Sequence, residues 1–401
     1  MFSTIISAKN LEGAYLDLVE KFAEDGKEFT YHGIDNYTLL DYDFDSLELL
    51  SRVRDELIEK KPLDPALLLH IPKKHNPAKT RDIFVYTLKE RVKAQALYRV
   101  VVPLFEHYFS NRLFSYRPGR PPSIAAYLFA RRYRRYHKTD HCLVVDLQNY
   151  SNLLDTTILF EQLKNVIPDS RVRDLLRLFI VNPLYEQGVI RSMDQGVVQG
   201  VPLIALFANL YLTDLDYRYQ KMVSFYIRVG DDLVLADQNS DTIARVGEQL
   251  KEDLHVRGLE LNHDKWYRGP ARGDFSFLGY RFSAGRIRLE DGYVRSMVRT
   301  WNRLLVDKHK TKSQKYALLV RIMRHPTRNF TNQFEEMVRS KPQLNDSEQI
   351  KVLSERFFAI LTEFYFVRYT PRNRRLLTRV IRDLGIQSLY HVYTRFHYER
   401  S

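Results

Sequence analysis

Residues 226–236 read Tyr-Ile-Arg-Val-Gly-Asp-Asp-Leu-Val-Leu-Ala, two apolar, β-rich runs that turn at Gly230 with Asp231 and Asp232 at the bend. Few stretches constrain a fold as tightly. A short turn between apolar strands needs a residue that accepts φ > 0, and glycine beside aspartate supplies one. Taken alone, the run is an ordinary hairpin tip. Two adjacent carboxylates repel, however, and a cation between them removes that cost. Both readings, turn and half of a metal site, stay open on these residues alone.

The chain has 401 residues, 44% of them hydrophobic, which suits a globular protein with sizeable cores and two or three domains. No apolar run reaches the length of a membrane span, and Met1–Ile6 has neither the basic start nor the apolar length of a secretion signal. The single cysteine, Cys142, sits in the apolar run Cys142–Val145 and has no internal disulfide partner. A reducing, cytoplasmic setting without a membrane partner is the expectation. The net charge of +13 is unevenly spread: residues 1–70 carry 7 Lys/Arg against 15 Asp/Glu, and residues 71–150 carry 16 against 5. Residues 151–283 carry 15 against 18, and residues 284–401 carry 24 against 11. Two basic, tyrosine-rich blocks therefore flank an acidic centre that holds the hairpin. Such a distribution favours nucleic acid as partner.

Apolar spacing predicts helices over 10–25 and 44–60, a β-hairpin with a basic tip over 67–85, and helices over 88–109 and 123–137. From Cys142 strands and helices alternate: strand 142–147, helices 156–165, 170–180 and 202–222, strands 225–229 and 232–236, and helix 240–257. An apolar pair follows at 275–282 and 286–289, and residues 295–401 read as mostly helical, with breaks at Pro326, Pro342 and Pro371. The pattern is α+β.

Asp146 ends the strand His141–Leu147, where aspartate also serves as a helix cap or turn former. It lies far from Asp231 in sequence, so only a sheet that sets strand 142–147 beside the hairpin would join them. Three converging carboxylates need neutralising. Hard oxygen donors select Mg²⁺ or Mn²⁺, and two such ions suit phosphoryl transfer.

Over roughly residues 65–283 the chain resembles reverse transcriptases of the bacterial group II intron, retron and defence-associated lineage, with the motifs in family order. Ile71-Pro72-Lys73-Lys74 with Thr80-Arg81-Asp82-Ile83 resembles the fingers hairpin, and Phe114–Arg120 the Gly-Phe-Arg-Pro-Gly-Arg element. Val145–Tyr150 resembles the first catalytic strand, and Gln199–Pro202 with Ala208–Leu212 the template- and nucleotide-gripping helix. Arg228–Asp232 stands at the Tyr-Ala-Asp-Asp position, and Leu259–Lys265 with Phe277–Phe282 match the last two palm motifs.

The resemblance implies a right-hand polymerase divided into a helical N-terminal extension (1–64), fingers (65–140), palm (141–283) and a basic helical thumb (284–401). It implies that Asp146, Asp231 and Asp232 are catalytic and, with Leu147, hold Mg²⁺ or Mn²⁺. Lys74 and Arg81 would grip the triphosphate. Leu147, Tyr150, Ser151, Gln199 and Gly200 would surround the nucleotide, and Lys265 is a candidate proton donor to the leaving pyrophosphate. Arg117, Arg120, Arg372, Arg374, Arg375 and Arg379 would contact nucleic acid; the thumb arginines also read as a solvated helix face.

The departures are specific. Val229 replaces the family's Tyr and Gly230 its Ala, and Val197–Pro202 replaces Leu-Pro-Gln-Gly-Ser-Pro. Ile204-Ala205 stands for a following Ser-Pro pair. Ser151 stands where the family places the aromatic that clashes with a ribose 2′-OH, and only Tyr150 next to it offers a ring. No His-Asn-His cluster or Cys-x-x-C pair follows residue 284, which weighs against a complete mobile-intron protein. The resulting expectation is an RNA-directed DNA polymerase in antiphage defence, working with dNTPs, nascent DNA, a dedicated non-coding RNA template and a partner protein encoded nearby. A template-independent or RNA-synthesising nucleotidyltransferase is the enzymatic alternative, and a non-catalytic RNA-binding scaffold the third reading.

Overall fold

A computed structural model describes residues 1–25, 32–43, 46–73, 76–193, 195–305 and 311–399. The chain folds into two compact units, one of Met1–Ala125 with Asp140–Gly269, the other of Ala126–Thr139 with Pro270–Ser401. Among the described residues, no helix is long and apolar enough to cross a membrane.

The first unit contains two sheets. In one, β1 (Ala66–Lys73) and β2 (Asn76–Val85) form the expected antiparallel hairpin, from Leu67 opposite Val85 to Pro72 opposite Thr80. The other is built on β3 (His141–Gln148), whose Cys142–Leu147 are all buried, as a central strand covered on both faces requires. Two short strands, β4 (Leu184–Glu186) and β5 (Val189–Arg191), extend the first sheet to the order β2-β1-β4-β5. They lie in a stretch that the apolar pattern leaves without strands, because three-residue strands carry too little periodicity to show.

The hairpin of residues 226–236 is β6 (Phe225–Val229) and β7 (Asp232–Asp237), closed by Gly230 and Asp231. Gly230 has φ +63°, the conformation such a closure demands of its first residue. β7 pairs antiparallel with β3, setting Asp146 opposite Asp232 and Val145 opposite Leu233. β8 (Glu260–Leu261) and β9 (Tyr267–Pro270) pair with the opposite side of β3, giving the order β6-β7-β3-β8 with β9 also on β3.

Helices cover these sheets. Asn239 caps the helix Ser240–Val256, whose Ile243, Val246, Leu250 and Leu254 form one buried stripe. The helix expected over 202–222 is two, Pro202–Tyr211 and Thr213–Met222. At the break the Asn209 carbonyl accepts from the Thr213 hydroxyl and from the Arg228 guanidinium of β6, both at 2.9 Å. Thr87 caps the 21-residue helix Leu88–Tyr108. On it, Lys89 and Lys93 reach the buried Glu56 of the helix Ser46–Ile58, so the acidic N-terminal helices are fastened by charge as well as by apolar burial.

The second unit carries β10 (Phe275–Phe277), β11 (Tyr280–Ser283) and β12 (Arg286–Leu289). Leu278 and Gly279, both at positive φ, split the expected 275–282 run into a hairpin. Phe129 and Tyr133 pack tilted or edge-on against Phe275 and Phe282. Among the described residues six helices follow, from Asp291–Leu304 to Leu389–Tyr398, and Trp301, Phe334 and Phe357 pack edge to face in their core.

Candidate active site

Strand register brings the three aspartates together. Asp146, near the end of β3, faces Asp232 across the β3–β7 pair, and Asp231 occupies the adjoining turn. The Leu147 amide donates to the Asp231 carbonyl at 3.1 Å, tying that turn to β3. Burial, then the Asp146 charge, pushes the Asp231 carboxyl above its ordinary range. Burial, the Asp231 charge and the Asp146 charge push Asp232 up to about 7, against a smaller opposing pull from Lys265.

One cation already answers that negative field. Lys265 Nζ donates to Asp146 Oδ1 at 2.7 Å, and Asn262 Nδ2 donates to Asp146 Oδ2 at 2.7 Å. Burial disfavours the Lys265 charge, but its hydrogen bond to Asp146 and the field of the carboxylates outweigh burial and raise its pKa. A set of hard carboxylate oxygens that resists ionising suits divalent Mg²⁺ or Mn²⁺. Among the described residues, no group of three or more His, Cys, Asp or Glu is arranged to hold a metal ion as it stands. Asp146 has both oxygens engaged by its neighbours, so a metal must compete with Lys265 and Asn262 for them.

A cavity of about 830 Å³ opens beside the turn. Asp231, Gly230, Asn149, Tyr150 and Ser151 form one part of its lining, Arg81 and Asp82 of β2 another, and Gln199 and Tyr116 line it as well. Of the nucleotide-site residues expected from sequence, Arg81, Tyr150, Ser151 and Gln199 line this cavity, while Lys74 lies outside the described residues. Leu147 is buried and is not part of the cavity lining. Tyr150 is buried too, and its hydroxyl donates to the Ala208 carbonyl at 2.5 Å, so the ring is tied down rather than free to replace an aromatic at 151. Gly200 lines a neighbouring cavity of about 700 Å³. Its φ of +117° and the Phe84 carbonyl, 2.6 Å from where a Cβ would stand, explain the glycine through packing.

The arginines divide. Arg117 departs from its expected role as a nucleic-acid contact. It is buried, and its guanidinium is spent on Glu106 and on the Ser110 and Leu113 carbonyls. Arg120 binds Asn111 through two 2.8 Å hydrogen bonds within its own loop. In the second unit, Arg372, Arg375 and Arg379 are exposed on the helix Pro371–Asp383, whereas Arg374 lies half-buried over the Phe358 ring. Sequence reasoning assigned no role to Arg228, Asp216, Asn209, Ser115 or Asn262, although Arg228, Asn209, Ser115 and Asn262 stand inside the quoted motifs. A charged residue at an inward position of an apolar strand was the available signal.

The family described as reverse transcriptase (RNA-dependent DNA polymerase) matches residues 71–282, more than half of the chain. The chain belongs to that family. RNA-directed DNA polymerase is the family's enzyme class, and the fold is the α+β right-hand polymerase class expected for it. Protein YkfC of Escherichia coli (strain K12) is 25% identical over 291 residues, covering 62% of this chain and 75% of YkfC. Among solved structures, telomerase from Candida albicans with a fragment of telomeric RNA aligns with TM-score 0.47 and 14% identity, over 84% of this chain and 66% of that one. Apo telomerase from Candida tropicalis aligns with TM-score 0.47 and 12% identity, over 81% of this chain and 66% of that one. The chain thus spans just under two thirds of the length of these telomerase chains.

Proposed function

We propose that this chain is an RNA-directed DNA polymerase that extends DNA on an RNA template by a two-metal mechanism. The observation that carries the reading is the cavity beside the hairpin turn, which has Asp231 in one part of its lining and the basic Arg81 in another, inside the segment that matches the family. Asp146 and Asp231 would hold the ions, with Asp232 as a further carboxylate and Leu147 in the same shell. Two Mg²⁺ ions, when bound, supply stabilisation of the attacking and leaving oxygens. Arg81, with Lys74, would offset triphosphate charge, and Lys265 would give a proton to the departing pyrophosphate. Residues 65–140, 141–283 and 284–401 are read as fingers, palm and thumb behind the extension 1–64.

The motif spellings resemble those of the group II intron, retron and defence-associated lineage. From them we infer a cytoplasmic antiphage role with a dedicated non-coding RNA template and a partner protein. One observation favours a second product: Ser151 lines the cavity where the family's clashing aromatic is expected, and Tyr150 is tied to Ala208. RNA synthesis in the same site is the alternative. The test is Mg²⁺-dependent incorporation of each dNTP and rNTP by protein purified with its bound nucleic acid, with Asp231→Asn as control. DNA products lost in the variant support the reading; incorporation of rNTPs alone refutes reverse transcription.

A further inference from the structure

A fully buried ion pair lies directly under the Gly230–Asp231 turn. Arg228 and Asp216 are both 0% exposed. Arg228 Nε and Nη2 donate to the two Asp216 oxygens at 2.7 and 2.6 Å, and the Tyr226 hydroxyl donates to Asp216 Oδ1 at 2.6 Å. The rest of the guanidinium is aimed at backbone: Nη2 donates to the Asn209 carbonyl at 2.9 Å and Nη1 to the Gly230 carbonyl at 3.2 Å. From the other side the Ser115 hydroxyl accepts the Gly230 amide at 2.8 Å and donates to Asn209 Oδ1 at 2.9 Å. Asn209 Nδ2 returns a hydrogen bond to the Ser115 carbonyl at 2.7 Å. Arg228 also pairs through its own backbone with the same loop, accepting from Phe114 and donating to Arg112.

A buried ion pair is poor value as stabilisation, because desolvating two charges offsets most of their attraction and apolar residues of similar size often do as well. Its gain here is geometric. Both polar backbone groups of Gly230 are held, one by Arg228 and one by Ser115, and Leu147 holds the next carbonyl, that of Asp231. The fork shape of arginine is required, since one guanidinium must reach a carboxylate and two carbonyls in fixed directions. The same network anchors the loop that carries Tyr116 into the cavity wall.

We propose that Arg228, with Asp216, and Ser115, with Asn209, are positioning residues that fix the Asp231 carboxylate and the Tyr116 wall of the cavity relative to each other. The proposal rests on the polymerase reading for its kinetic consequence, not for its geometry. Ser115→Ala removes one hydroxyl with little change in volume, and Arg228→Lys keeps the buried charge while losing the fork. Each is expected to lower kcat by about 10- to 100-fold, the scale of a small misplacement of a reacting group. The nucleotide KM should stay within about 3-fold of wild type, because contacts remote from the turn still bind the nucleotide. Ser115→Thr, which retains the hydroxyl, should return most of the lost kcat.

Hydrogen exchange supplies the readout that does not depend on turnover. In Ser115→Ala the amides of residues 229–232 should exchange at least about 10-fold faster, while those of β3 keep their protection, as local opening predicts. Uniformly faster exchange in step with a lower Tm would make the network merely structural and overturn the proposal. So would wild-type exchange at 229–232. If wild-type protein incorporates no nucleotide, the polymerase reading fails, and the exchange pattern still decides the positioning role.

Discussion

Asp232→Asn removes one carboxylate from the three at the hairpin, and the gain can be worked out from its surroundings. Burial, Asp231 and Asp146 lift the Asp232 carboxyl to about 7. Against about 3.9 for an unfolded chain, that lift corresponds to about 4 kcal/mol at about 1.4 kcal/mol per pH unit. Asp232 is half-buried and titrates together with its neighbours. Roughly 2 kcal/mol is therefore the separable share. The sign follows from linkage: the folded state holds this proton more tightly than the unfolded chain. The penalty is thus absent below about pH 4, grows as pH rises to about 7 and is constant above. Asparagine mimics the protonated acid, so without metal the variant should be more stable than wild type at pH 8, with Tm raised by about 4–8 °C. At pH 5.5 the gain should be about half as large. Scanning calorimetry in EDTA at both pH values measures it, and added Mg²⁺ should raise the wild-type Tm more than the variant's. A variant that is less stable at pH 8 without metal, or a gain that ignores pH, would refute the picture of three mutually repelling carboxylates.

Three further outcomes are expected. Ser151→Phe should raise the ratio of deoxynucleotide to ribonucleotide incorporation by at least about 10-fold, a difference of about 1.4 kcal/mol between the two transition states; an unchanged ratio in a competition assay removes position 151 from sugar selection. His70, on β1, bridges Glu186 at 2.7 Å and Asp82 at 2.8 Å, and these hydrogen bonds raise its pKa. Its contribution is therefore complete below about pH 6.5 and lost as pH rises through the raised value, so His70→Gln should lower Tm at pH 6 and leave it unchanged at pH 9. Val367, a β-branched residue at φ +71°, ends the helix Ser347–Phe366 and is 70% exposed. Val367→Gly should stabilise the second unit by about 1 kcal/mol in urea titration, and a loss would show that the left-handed backbone carries no strain.

The elements that sequence showed well are those with strong periodicity. The apolar runs on either side of Gly230 and the apolar run Cys142–Val145 give β6, β7 and β3 within a residue or two. That Asp146 would face Asp232 was not legible, because register is a long-range choice made by burial of both faces of β3. Longer-range still was the split of the 202–222 helix, where a guanidinium arrives from another element, β6. Arg117 and Tyr150 illustrate a different limit. Each sits in a motif that names a ligand-facing role, yet the fold turns Arg117 onto Glu106, and Tyr150, although it lines the cavity, has its hydroxyl tied to Ala208. A motif specifies which residues gather, whereas burial and hydrogen-bond demand decide which of their atoms remain free.

Templated synthesis of DNA at the Asp146–Asp231 site can be read directly from the product. The most direct measurement is sequencing of the product made on a defined RNA template with a DNA primer, dNTPs and Mg²⁺, for wild type, Asp146→Asn and Asp231→Asn. Wild type should yield DNA complementary to the template, and neither variant should yield any. Product of equal amount from the variants, or product whose sequence ignores the template, would contradict templated synthesis at that site.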